Sequence, residues 1–372
     1  MKRYSELSGK LNNVMFFLAG VLTVVIIGIL VIGIQTMAQN NSTKNTDYKS
    51  SNDNQQNVSP ITRDTQKEEN EAESGTEEAN SILGDEKWAE GVVTYNGHSY
   101  KYNTKLKIYL LMGIDNDGPV EVAKDYVSGG QSDAIFLLVA DEEKETLKIV
   151  SINRNTMADI SVCDKDGKSM GKMQAQICVQ HGFGDGKKLS CTRTVDAVSD
   201  MFYNLPINGY IAFNMGAIRI INDVMGGVSV DVLDDISSSD GKINLKKGEK
   251  VTLTDDEAYL YLRGRNLDEY GSANDRLRRQ EQYINNYILA VKNSRGISNS
   301  SIEDLYNQTE EYMVTSVDFT ELVSQLIDFE YTEDDMYTVP GETKMGKEYE
   351  EFYINEDDFY DLIFKVFYNE VE

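Results

Sequence analysis

Residues 14–34, VMFFLAGVLTVVIIGILVIGI, form an apolar run without a single charge, and this run decides where the rest of the chain can lie. About 20 such residues cross a bilayer as one helix. A secretory signal has a shorter apolar core followed by a small-residue cleavage site, so we disfavour cleavage. We therefore predict a transmembrane helix over residues 14–37. A buried core helix is the disfavoured alternative.

The charges around this run predict its orientation. Lys2, Arg3 and Lys10 precede it, and a polar, acid-rich segment follows it. The positive-inside rule then places residues 1–13 in the cytoplasm and the remainder outside, as in a single-pass protein of the cell membrane. Residues 38–90 contain mostly Asn, Ser, Thr, Gln and Glu, and cannot bury enough apolar surface to offset their ordering entropy. We predict a disordered extracellular linker there and one folded extracellular domain over residues 91–372.

The composition excludes some classes of protein. A net charge of −26 argues against a nucleic-acid binder, which would present a broad basic surface. His98 and His181 are the only two histidines, so a mechanism that needs several histidines is excluded. No Cys/His spacing resembles a zinc site.

Strand-like and helix-like segments alternate along the folded part, which favours an α/β fold. Short continuous apolar runs typical of buried strands occur at residues 107–112, 134–140 and 147–152. Further strands are predicted at residues 210–213, 228–232 and 336–339. Helices are predicted in two pieces within residues 171–204, and at residues 215–224, 301–312, 319–329 and 356–368. Residues 254–257 form a capping box that starts a further short helix.

Five arginines within residues 261–280 stand out against the acidic background. They are Arg263, Arg265, Arg276, Arg278 and Arg279. Arginine grips phosphate or carboxylate oxygens in a bidentate manner. Two interpretations remain open at this point: an anion-binding site, or a solvated basic face that pairs with the surplus acids.

The spacing within this stretch predicts how the arginines are presented. Arg263 and Arg265 would point to one side if the chain is extended there. Ser272 and Asp275 are a plausible capping pair for a new helix. On that helix Arg276, Arg279 and Gln280 share one face, while Arg278 faces solvent or an acidic neighbour. Leu277, Ile284, Ile288 and Val291 form an apolar stripe on another face.

Two carboxylates and one more arginine lie at predicted strand ends. Asp115 follows the first strand, Asp133 opens the second, and Arg154 follows the third. Ligands of α/β sheets bind at such ends. Each aspartate alone is equally compatible with a turn.

The three cysteines lie in the predicted extracellular part, where disulfides form. We favour a disulfide between Cys178 and Cys191, which flank a short glycine-rich turn, with Cys163 left over. A catalytic cysteine is disfavoured.

Taken together, seven stretches resemble the LytR-CpsA-Psr family of Gram-positive envelope proteins, in the family's order. They are LLMGID (110–115), GGQSDAIFLLVA (129–140), IVSINRNTM (149–157), QAQICVQHGFGDG (174–186), VMGGVSVDV (224–232), LTDDEAYLYLRGR (253–265) and NDRLRRQ (274–280). The resemblance implies an α/β/α sandwich with a central mixed β-sheet. It also implies a magnesium-dependent phosphotransferase that moves an anionic glycopolymer, similar to teichoic acid or capsule, from a polyprenyl-pyrophosphate carrier to peptidoglycan.

The resemblance also assigns roles to residues. Arg154, Arg263, Arg265 and Arg279 would clamp the pyrophosphate, with Arg276 and Gln280 beside them. Asp115 and Asp133 would hold Mg²⁺, and Asp133 is the first candidate to accept the proton of the attacking hydroxyl. An apolar groove lined by helices within residues 174–225 would hold the lipid.

Three positions depart from the family's pattern. Asn155 stands where the family has an aspartate after Arg154, Glu281 replaces a second glutamine, and Gln131 replaces an arginine before the Ser-Asp pair. These departures leave two alternatives: a non-catalytic protein that binds polyprenyl phosphates, or a pyrophosphatase acting on the same lipid. Transcriptional regulation is disfavoured, because the thirteen residues before the apolar run cannot form a DNA-binding domain.

Overall fold

The computed structural model describes residues 91–265, 270–293 and 299–371. The predicted cytoplasmic segment, transmembrane helix and linker all fall within residues 1–90, which lie outside the described residues. Among the helices of the described part, none combines the length and the apolar character that crossing a bilayer requires.

The described chain alternates strands and helices. Its strands are β1 Val93–Tyr95, β2 His98–Tyr102, β3 Leu106–Ile114, β4 Ser132–Asp141, β5 Thr146–Ser151, β6 Met157–Cys163, β7 Ser169–Gln176, β8 Gly209–Asn214, β9 Ser229–Asp231, β10 Ile236–Ser237, β11 Asn244–Leu245, β12 Lys250–Thr252, β13 Met313–Thr315, β14 Met336–Thr338, β15 Gly341–Met345, β16 Glu350–Ile354 and β17 Tyr368–Val371. Its helices are α1 Lys188–Met201, α2 Ala217–Val224, α3 Asp255–Arg263, α4 Ser272–Asn293, α5 Asn299–Thr309, α6 Phe319–Leu326 and α7 Glu356–Phe367.

A central six-stranded sheet has the order β13-β8-β3-β4-β5-β14. The pairs β3–β8 and β5–β14 are parallel, whereas β3–β4, β4–β5 and β8–β13 are antiparallel. The sheet is therefore mixed, as the resemblance implied. The loop that leaves β3 and the start of β4 meet at one edge, so Asp115 and Asp133 are brought to the same end of the sheet.

Helices cover both faces of this sheet, which explains why its strands are apolar without interruption. Along β4, Ile135 and Leu137 join a core beneath α1 and α7. Phe136 and Leu138 join the opposite core beneath α2, α4 and α6. The result is an α/β/α sandwich whose two cores are separated by the sheet.

The starts of α3 and α4 differ in how well the sequence predicted them. The capping box at α3 is confirmed: Glu257 Oε2 accepts hydrogen bonds from the Thr254 backbone N–H at 2.8 Å and from its hydroxyl at 2.9 Å. The predicted Ser272–Asp275 pair is wrong. α4 begins at Ser272 itself, and the N–H of Gly271 donates to Glu350 Oε1 at 2.6 Å. The apolar stripe of α4 is confirmed, with Leu277, Ile288 and Val291 buried and Ile284 partly buried.

Two hairpins did not follow from the sequence pattern. Residues 171–176, predicted to be helical, belong to β7, which pairs with β6. β7 is mostly exposed and carries little apolar periodicity, so nothing in its sequence distinguished it from a polar helix. The second hairpin, β15–β16, is attached to the loop between β5 and β6, where the Phe352 N–H donates to the Asn155 carbonyl at 2.9 Å. This hairpin lies against the start of α4.

A small antiparallel sheet, β1-β2-β17, joins the two ends of the described domain. β17 pairs with β2 in the register Tyr368–Tyr102 to Val371–Ser99. The rings of Tyr102 and Tyr368 contact edge to face with centroids 5.8 Å apart.

Candidate active site

Asp133 connects two buried arginines that come from different layers of the sandwich. Its Oδ1 lies 2.8 Å from Arg154 Nε, in the loop after β5, and its Oδ2 accepts a hydrogen bond from Arg276 Nη1 on α4 at 2.7 Å. The exposed fractions of the Arg154, Arg276 and Asp133 side chains are 13%, 4% and 12%. The sequence predicted this meeting of strand-end residues with the arginine helix, and the structure brings these three residues together.

Asp115 lies beside this pair of ion pairs. The Gln131 backbone N–H donates to Asp115 Oδ1 at 2.6 Å, and the Asp115 N–H donates to the Gln131 carbonyl at 2.9 Å. The Gln131 side chain in turn accepts a hydrogen bond from Arg154 Nη2. Desolvation, and to a smaller extent the charge of Asp133, raises the pKa of Asp115.

Arg265 is the third guanidinium of the site. It is half-buried just after α3, and its Nε donates to Ser272 Oγ at 3.3 Å. Burial and then the charge of Arg154 lower the pKa of Arg265, while Glu350 and Asp133 act in the opposite direction. Arg265 is therefore near enough to Asp133 and Glu350 for their charges to act on its pKa.

Arg263 differs from the predicted extended arrangement. It is the last residue of α3 and is exposed, and its guanidinium donates to the Tyr259 hydroxyl and lies 5.5 Å from the Tyr259 ring centroid. Its charge acts on Asp115, so it lies at the open side of the same site.

Two arginines of the site have buried nitrogens without a hydrogen-bond partner among the described residues. Arg276 Nη2 is buried and has no hydrogen-bond partner within the described residues, and Arg154 Nε, although close to Asp133, is not aligned for a hydrogen bond. Burial lowers the pKa of Arg276 to about 10, and the neighbouring charge of Arg154 adds to that effect. Buried donors without partners are rare in folded proteins and call for a bound group. An anion that reaches both guanidinium groups would satisfy them.

Arg279 does not take part in this cluster, contrary to the prediction. Its Nε donates to the Tyr261 carbonyl at 2.9 Å, its Nη2 donates to the Gly264 carbonyl, and its Nη1 lies 2.8 Å from Asp234 Oδ2. All three nitrogens are thus used within the protein. Arg279 thus fixes the carboxyl end of α3, next to Arg263 and Arg265.

Gln280 has a similar structural role, which also differs from the predicted phosphate contact. Its Nε2 donates to the Leu262 carbonyl at 3.2 Å, and the residue is buried. Arg278 behaves as predicted: it is 58% exposed and pairs with Asp275 at 2.6 Å.

An apolar cavity of about 130 Å³ opens beside the arginine cluster. It is lined by β3, β4 and β8 on one side and by α2 and α4 on the other, including Ala134, Phe136, Ile221, Ile284 and Tyr287. The prediction placed the lipid groove among helices of residues 174–225. Only α2 and residues of β8 come from that range, and the other walls come from the sheet and α4.

Asn155 and Glu281, two of the residues that depart from the family's pattern, make hydrogen bonds within the protein. Asn155 is buried, and its Oδ1 accepts a hydrogen bond from Gln176 Nε2 at 3.2 Å. Glu281 accepts hydrogen bonds from the hydroxyls of Ser151 and Thr338, the latter at 2.7 Å, and so ties α4 to β5 and β14. Both residues hold the framework around the arginines.

Sequence reasoning missed Glu350, which lies on β16. Its Oε1 accepts from the Gly271 N–H, while its Oε2 is buried without a hydrogen-bond partner in the described part of the chain. No motif marks this residue, because it reaches the site only through the β15–β16 hairpin.

The expected disulfide between Cys178 and Cys191 is not formed, and all three cysteines are free and buried. The Cys178 Sγ lies 3.9 Å from Gln131 Oε1, whereas the Cys191 Sγ lies 3.7 Å from His181 Nε2, so the two thiols have separate partners. Burial raises the pKa of Cys178 to about 11 and that of Cys191 to about 12. Neither thiol is activated as a nucleophile.

Asp115 and Asp133 are the carboxylates available for a metal ion. Throughout the described ranges, no group of three or more His, Cys, Asp or Glu side chains is arranged to hold one. Magnesium requires only one or two carboxylates when water and substrate phosphate oxygens complete its shell. The residues therefore fit magnesium bound together with a phosphate. Asp115 fits better than Asp133, because both oxygens of Asp133 contact guanidinium groups.

Comparison with known proteins identifies the family to which the chain is similar. The profile of the LytR_cpsA_psr family matches residues 34–362. A polyisoprenyl-teichoic acid–peptidoglycan teichoic acid transferase, TagU of Halalkalibacterium halodurans, is 29% identical over 171 residues, which are 45% of this chain and 49% of the relative. TagV of Bacillus subtilis, of the same description, is 28% identical over 222 residues, which are 57% of this chain and 50% of the relative.

This chain thus spans about half the length of the curated relatives it matches. The crystal structure of B. subtilis TagV matches with a TM-score of 0.54 at 23% identity, and the match covers 70% of this chain and 96% of TagV. The shared fold is α/β with a central mixed sheet.

Proposed function

Because this chain belongs to the LytR-CpsA-Psr family, we propose that it is a membrane-anchored phosphotransferase. It moves an anionic glycopolymer from a polyprenyl-pyrophosphate carrier to peptidoglycan, outside the cell, with its membrane helix at residues 14–37. The observation that carries the proposal is the position of buried, under-compensated arginines beside an apolar cavity. A polyprenyl pyrophosphate has the same two parts, a concentrated negative charge and an apolar tail.

Arg154, Arg265 and Arg276 bind the pyrophosphate in this scheme. The acceptor hydroxyl oxygen forms a bond to the phosphorus that carries the glycan. The bond from that phosphorus to the bridging oxygen breaks, and polyprenyl phosphate leaves with the electron pair. Negative charge grows on the leaving phosphate, and fixed guanidinium groups in a site shielded from water stabilise it.

Asp133 receives the hydroxyl proton. Transition states of this kind are loose, so the proton is lost late and a strong base is not required. The two ion pairs hold the Asp133 carboxylate in one orientation at the start of β4. Magnesium would be held by Asp115, with Asp133 nearby, and would neutralise pyrophosphate charge when bound.

Two arginines on α4 provide a matched test. Arg276→Gln removes a buried guanidinium of the site, whereas Arg278→Gln removes an exposed one two residues away. The full chain in detergent would be given a polyprenyl-pyrophosphate-linked glycan, Mg²⁺ and a peptidoglycan acceptor, with release of polyprenyl phosphate as the readout. We expect a loss of about 10²–10³-fold for Arg276→Gln, typical of removing one preorganised donor, and little change for Arg278→Gln.

The same assay separates the alternatives. A protein that binds the lipid but releases no polyprenyl phosphate under any metal condition is a binding protein. Release of free glycan phosphate without an acceptor indicates a pyrophosphatase. Equal activity of both arginine variants, each folded by circular dichroism, would refute the site.

A further inference from the structure

Two neighbouring loops expose apolar side chains at the end of the central sheet that carries Asp115. The loop of residues 116–130 leaves β3 directly after Asp115, and it exposes three apolar side chains, which are Val122, Tyr126 and Val127. The turn between β6 and β7 leads into Met170, which is 68% exposed, and Val122 is 69% exposed. Large apolar side chains that are exposed close together mark an interaction surface.

Backbone contacts hold the loop of residues 116–130 against the β6–β7 turn. The Tyr126 N–H donates to the Lys165 carbonyl at 3.2 Å. A Cβ atom at Gly167 would lie 3.1 Å from the Tyr126 ring, so the ring rests on that glycine. On the other side of the loop, the Ala123 N–H donates to the Asp185 carbonyl at 2.8 Å, in the glycine-rich turn before α1. The two loops therefore form one surface.

Lysines lie between these apolar side chains. Three exposed lysines, which form no ion pair among the described residues, are Lys124, Lys165 and Lys168. The carboxylates of Asp125 and Asp164 accept backbone N–H groups of their own turns instead. Residues 119–128, 164–172 and 185–189 contain six lysines and five acidic residues, a net charge of +1 in a chain that carries −26. This surface is therefore free of the acidity of the rest of the chain.

We propose that the four apolar side chains and the three lysines, which we call the apolar–basic patch, bind the surface of an anionic phospholipid bilayer. Val122, Val127 and Met170 enter the boundary between the head groups and the acyl chains. Tyr126 lies at the level of the head groups, where tyrosine rings are enriched. The lysines extend to the lipid phosphates, and the negative potential of the bilayer surface attracts them.

This binding places the candidate active site at the bilayer. The loop that carries the patch begins at Asp115 and returns at Gln131, whose N–H donates to Asp115 Oδ1. The start of the loop also borders the apolar cavity, because the Met215 N–H donates to the Asn116 carbonyl at 2.7 Å and Met215 lines that cavity. Both the cavity and the carboxylate thus lie at the base of the patch. The binding requires no turnover, so it goes beyond the proposed reaction.

Other partners fit the patch less well. An anionic polymer in water would pair with the lysines but would leave Val122 and Met170 exposed. A protein partner would bury the apolar side chains, but lysine is depleted in protein–protein interfaces, and here lysines lie among them. A bilayer surface takes up both kinds of side chain, because apolar and charged layers lie a few ångströms apart in it.

The test places a fluorescent reporter in the patch. Trp88 is the only tryptophan of the chain, so Trp88→Phe gives a silent background for Val122→Trp. The matched control is Ser324→Trp, an exposed position beside Glu142, which follows the far end of β4, about 30 Å along the strand from Asp133. The full chain is reconstituted in vesicles of equal parts phosphatidylcholine and phosphatidylglycerol, with or without lipids brominated on the acyl chain, which quench a tryptophan that touches them.

We expect brominated lipid to quench Val122→Trp at least about twofold more strongly than Ser324→Trp, and the emission of Val122→Trp to shift to shorter wavelength. Adding Lys124→Glu, Lys165→Glu and Lys168→Glu to Val122→Trp should remove most of this quenching, as should high salt. Thermal denaturation checks that each variant folds, since all the substituted positions of the described domain are exposed.

Two results would overturn the proposal. Equal quenching of Val122→Trp and Ser324→Trp would show that the patch does not contact lipid, which is also the result expected if the patch binds another protein. Quenching that the three charge reversals leave unchanged would show that the lysines do not act on the bilayer. Because no substrate is present, a chain that transfers nothing still gives either answer.

Discussion

Arg276, Arg278 and Arg279 lie within four consecutive residues of α4, and each has a different task. Arg276 is 4% exposed and shares Asp133 with Arg154, and one of its nitrogens has no partner in the described structure. Arg278 is 58% exposed and pairs locally. Arg279 is 4% exposed at its side chain and is fully used on α3 and Asp234. Of these three arginines of α4, only Arg276 combines burial with a donor that has no partner among the described residues.

The pKa of Asp115 gives a prediction at the scale of one residue. Its folded-state pKa is raised, mainly by desolvation, so folding favours the protonated carboxyl; because the Asp115 side chain is exposed, solvent screening keeps the effect on stability small. Below the ordinary aspartate pKa of about 4, the carboxyl is neutral in both the folded and the unfolded state and does not change the free energy of unfolding. As the pH rises through the folded-state pKa, the unfolded state gains the charge more easily, and the free energy of unfolding falls.

We therefore expect Asp115→Asn to raise the melting temperature at pH 7, with a gain that shrinks to zero below about pH 4. The asparagine oxygen can still accept from the Gln131 N–H. Thermal denaturation between pH 3.5 and pH 8 measures the effect, and a gain that is the same at every pH would contradict it. The same variant should lose its response to magnesium in the transfer assay.

The sequence predicted which side chains come together better than it predicted the contacts that each one makes. The convergence of Asp115, Asp133, Arg154 and Arg276 was predictable, because strand ends and a helix face converge in an α/β sheet. The contacts of Arg279 and Gln280 could not be predicted, because both side chains donate to backbone carbonyls at the end of α3. These contacts depend on the distance between α3 and α4, and that distance cannot be read from the sequence.

At the scale of elements, the β15–β16 hairpin holds the start of α4. Glu350 accepts the N–H of Gly271, and Asn274 Nδ2 donates to Thr343 Oγ1 at 2.9 Å. Asn274 Oδ1 also accepts from Asn153 Nδ2 at 2.5 Å, beside Arg154. The hairpin, α4 and the loop after β5 are thus connected by side chains around the arginines.

Two substitutions of Glu350 separate its charge from its hydrogen bond. Glu350→Gln keeps an acceptor for the Gly271 N–H but removes the charge that stabilises the Arg265 guanidinium. We expect tighter binding of polyprenyl pyrophosphate, by a few-fold, because the site becomes more positive. Glu350→Ala also removes the acceptor of the Gly271 N–H at the start of α4. We expect it to lower the free energy of unfolding by about 0.5–2 kcal/mol, as the loss of a helix cap does.

Calorimetric binding and urea denaturation measure the two effects. Weaker pyrophosphate binding by Glu350→Gln, at unchanged stability, would show that the carboxylate assists the ligand instead of opposing it.

The β6–β7 and β15–β16 hairpins could not be predicted from sequence. β7 and β15 are largely exposed, so they lack the continuous apolar runs that marked β3, β4 and β5.

At the scale of the whole molecule, the sheet separates two cores, and the apolar cavity lies in only one of them. The cavity is on the α4 side, between the sheet and α2, and Ala134 in its wall directly follows Asp133. A lipid bound there would have its pyrophosphate at the sheet edge. The other core, beneath α1 and α7, contributes Met112 alone of its described residues to the cavity lining.

Filling the apolar cavity should affect the lipid tail and not the phosphates. Ala134→Leu adds apolar volume to the cavity wall, and Ala175→Leu, on the exposed strand β7, is the matched control. We expect Ala134→Leu to weaken binding of a long-chain polyprenyl pyrophosphate by about tenfold or more while inorganic pyrophosphate binds as before. Equal losses for both ligands would indicate that the substitution disturbs Asp133 instead. Calorimetry with the two ligands distinguishes these results.

The pairing of β17 with β2 has a consequence for how the domain is made. β17 follows every other described element in the chain, yet its partner β2 is one of the first, some 270 residues earlier by the register of Val371 and Ser99. Contacts of such long sequence separation form slowly, because a long loop must close first. Until β17 arrives, Tyr102 and the ring that packs on it cannot be buried together. The described domain can therefore complete its folding only after its last strand has been made, and closure of the β1-β2-β17 sheet is the step that requires both ends of the domain.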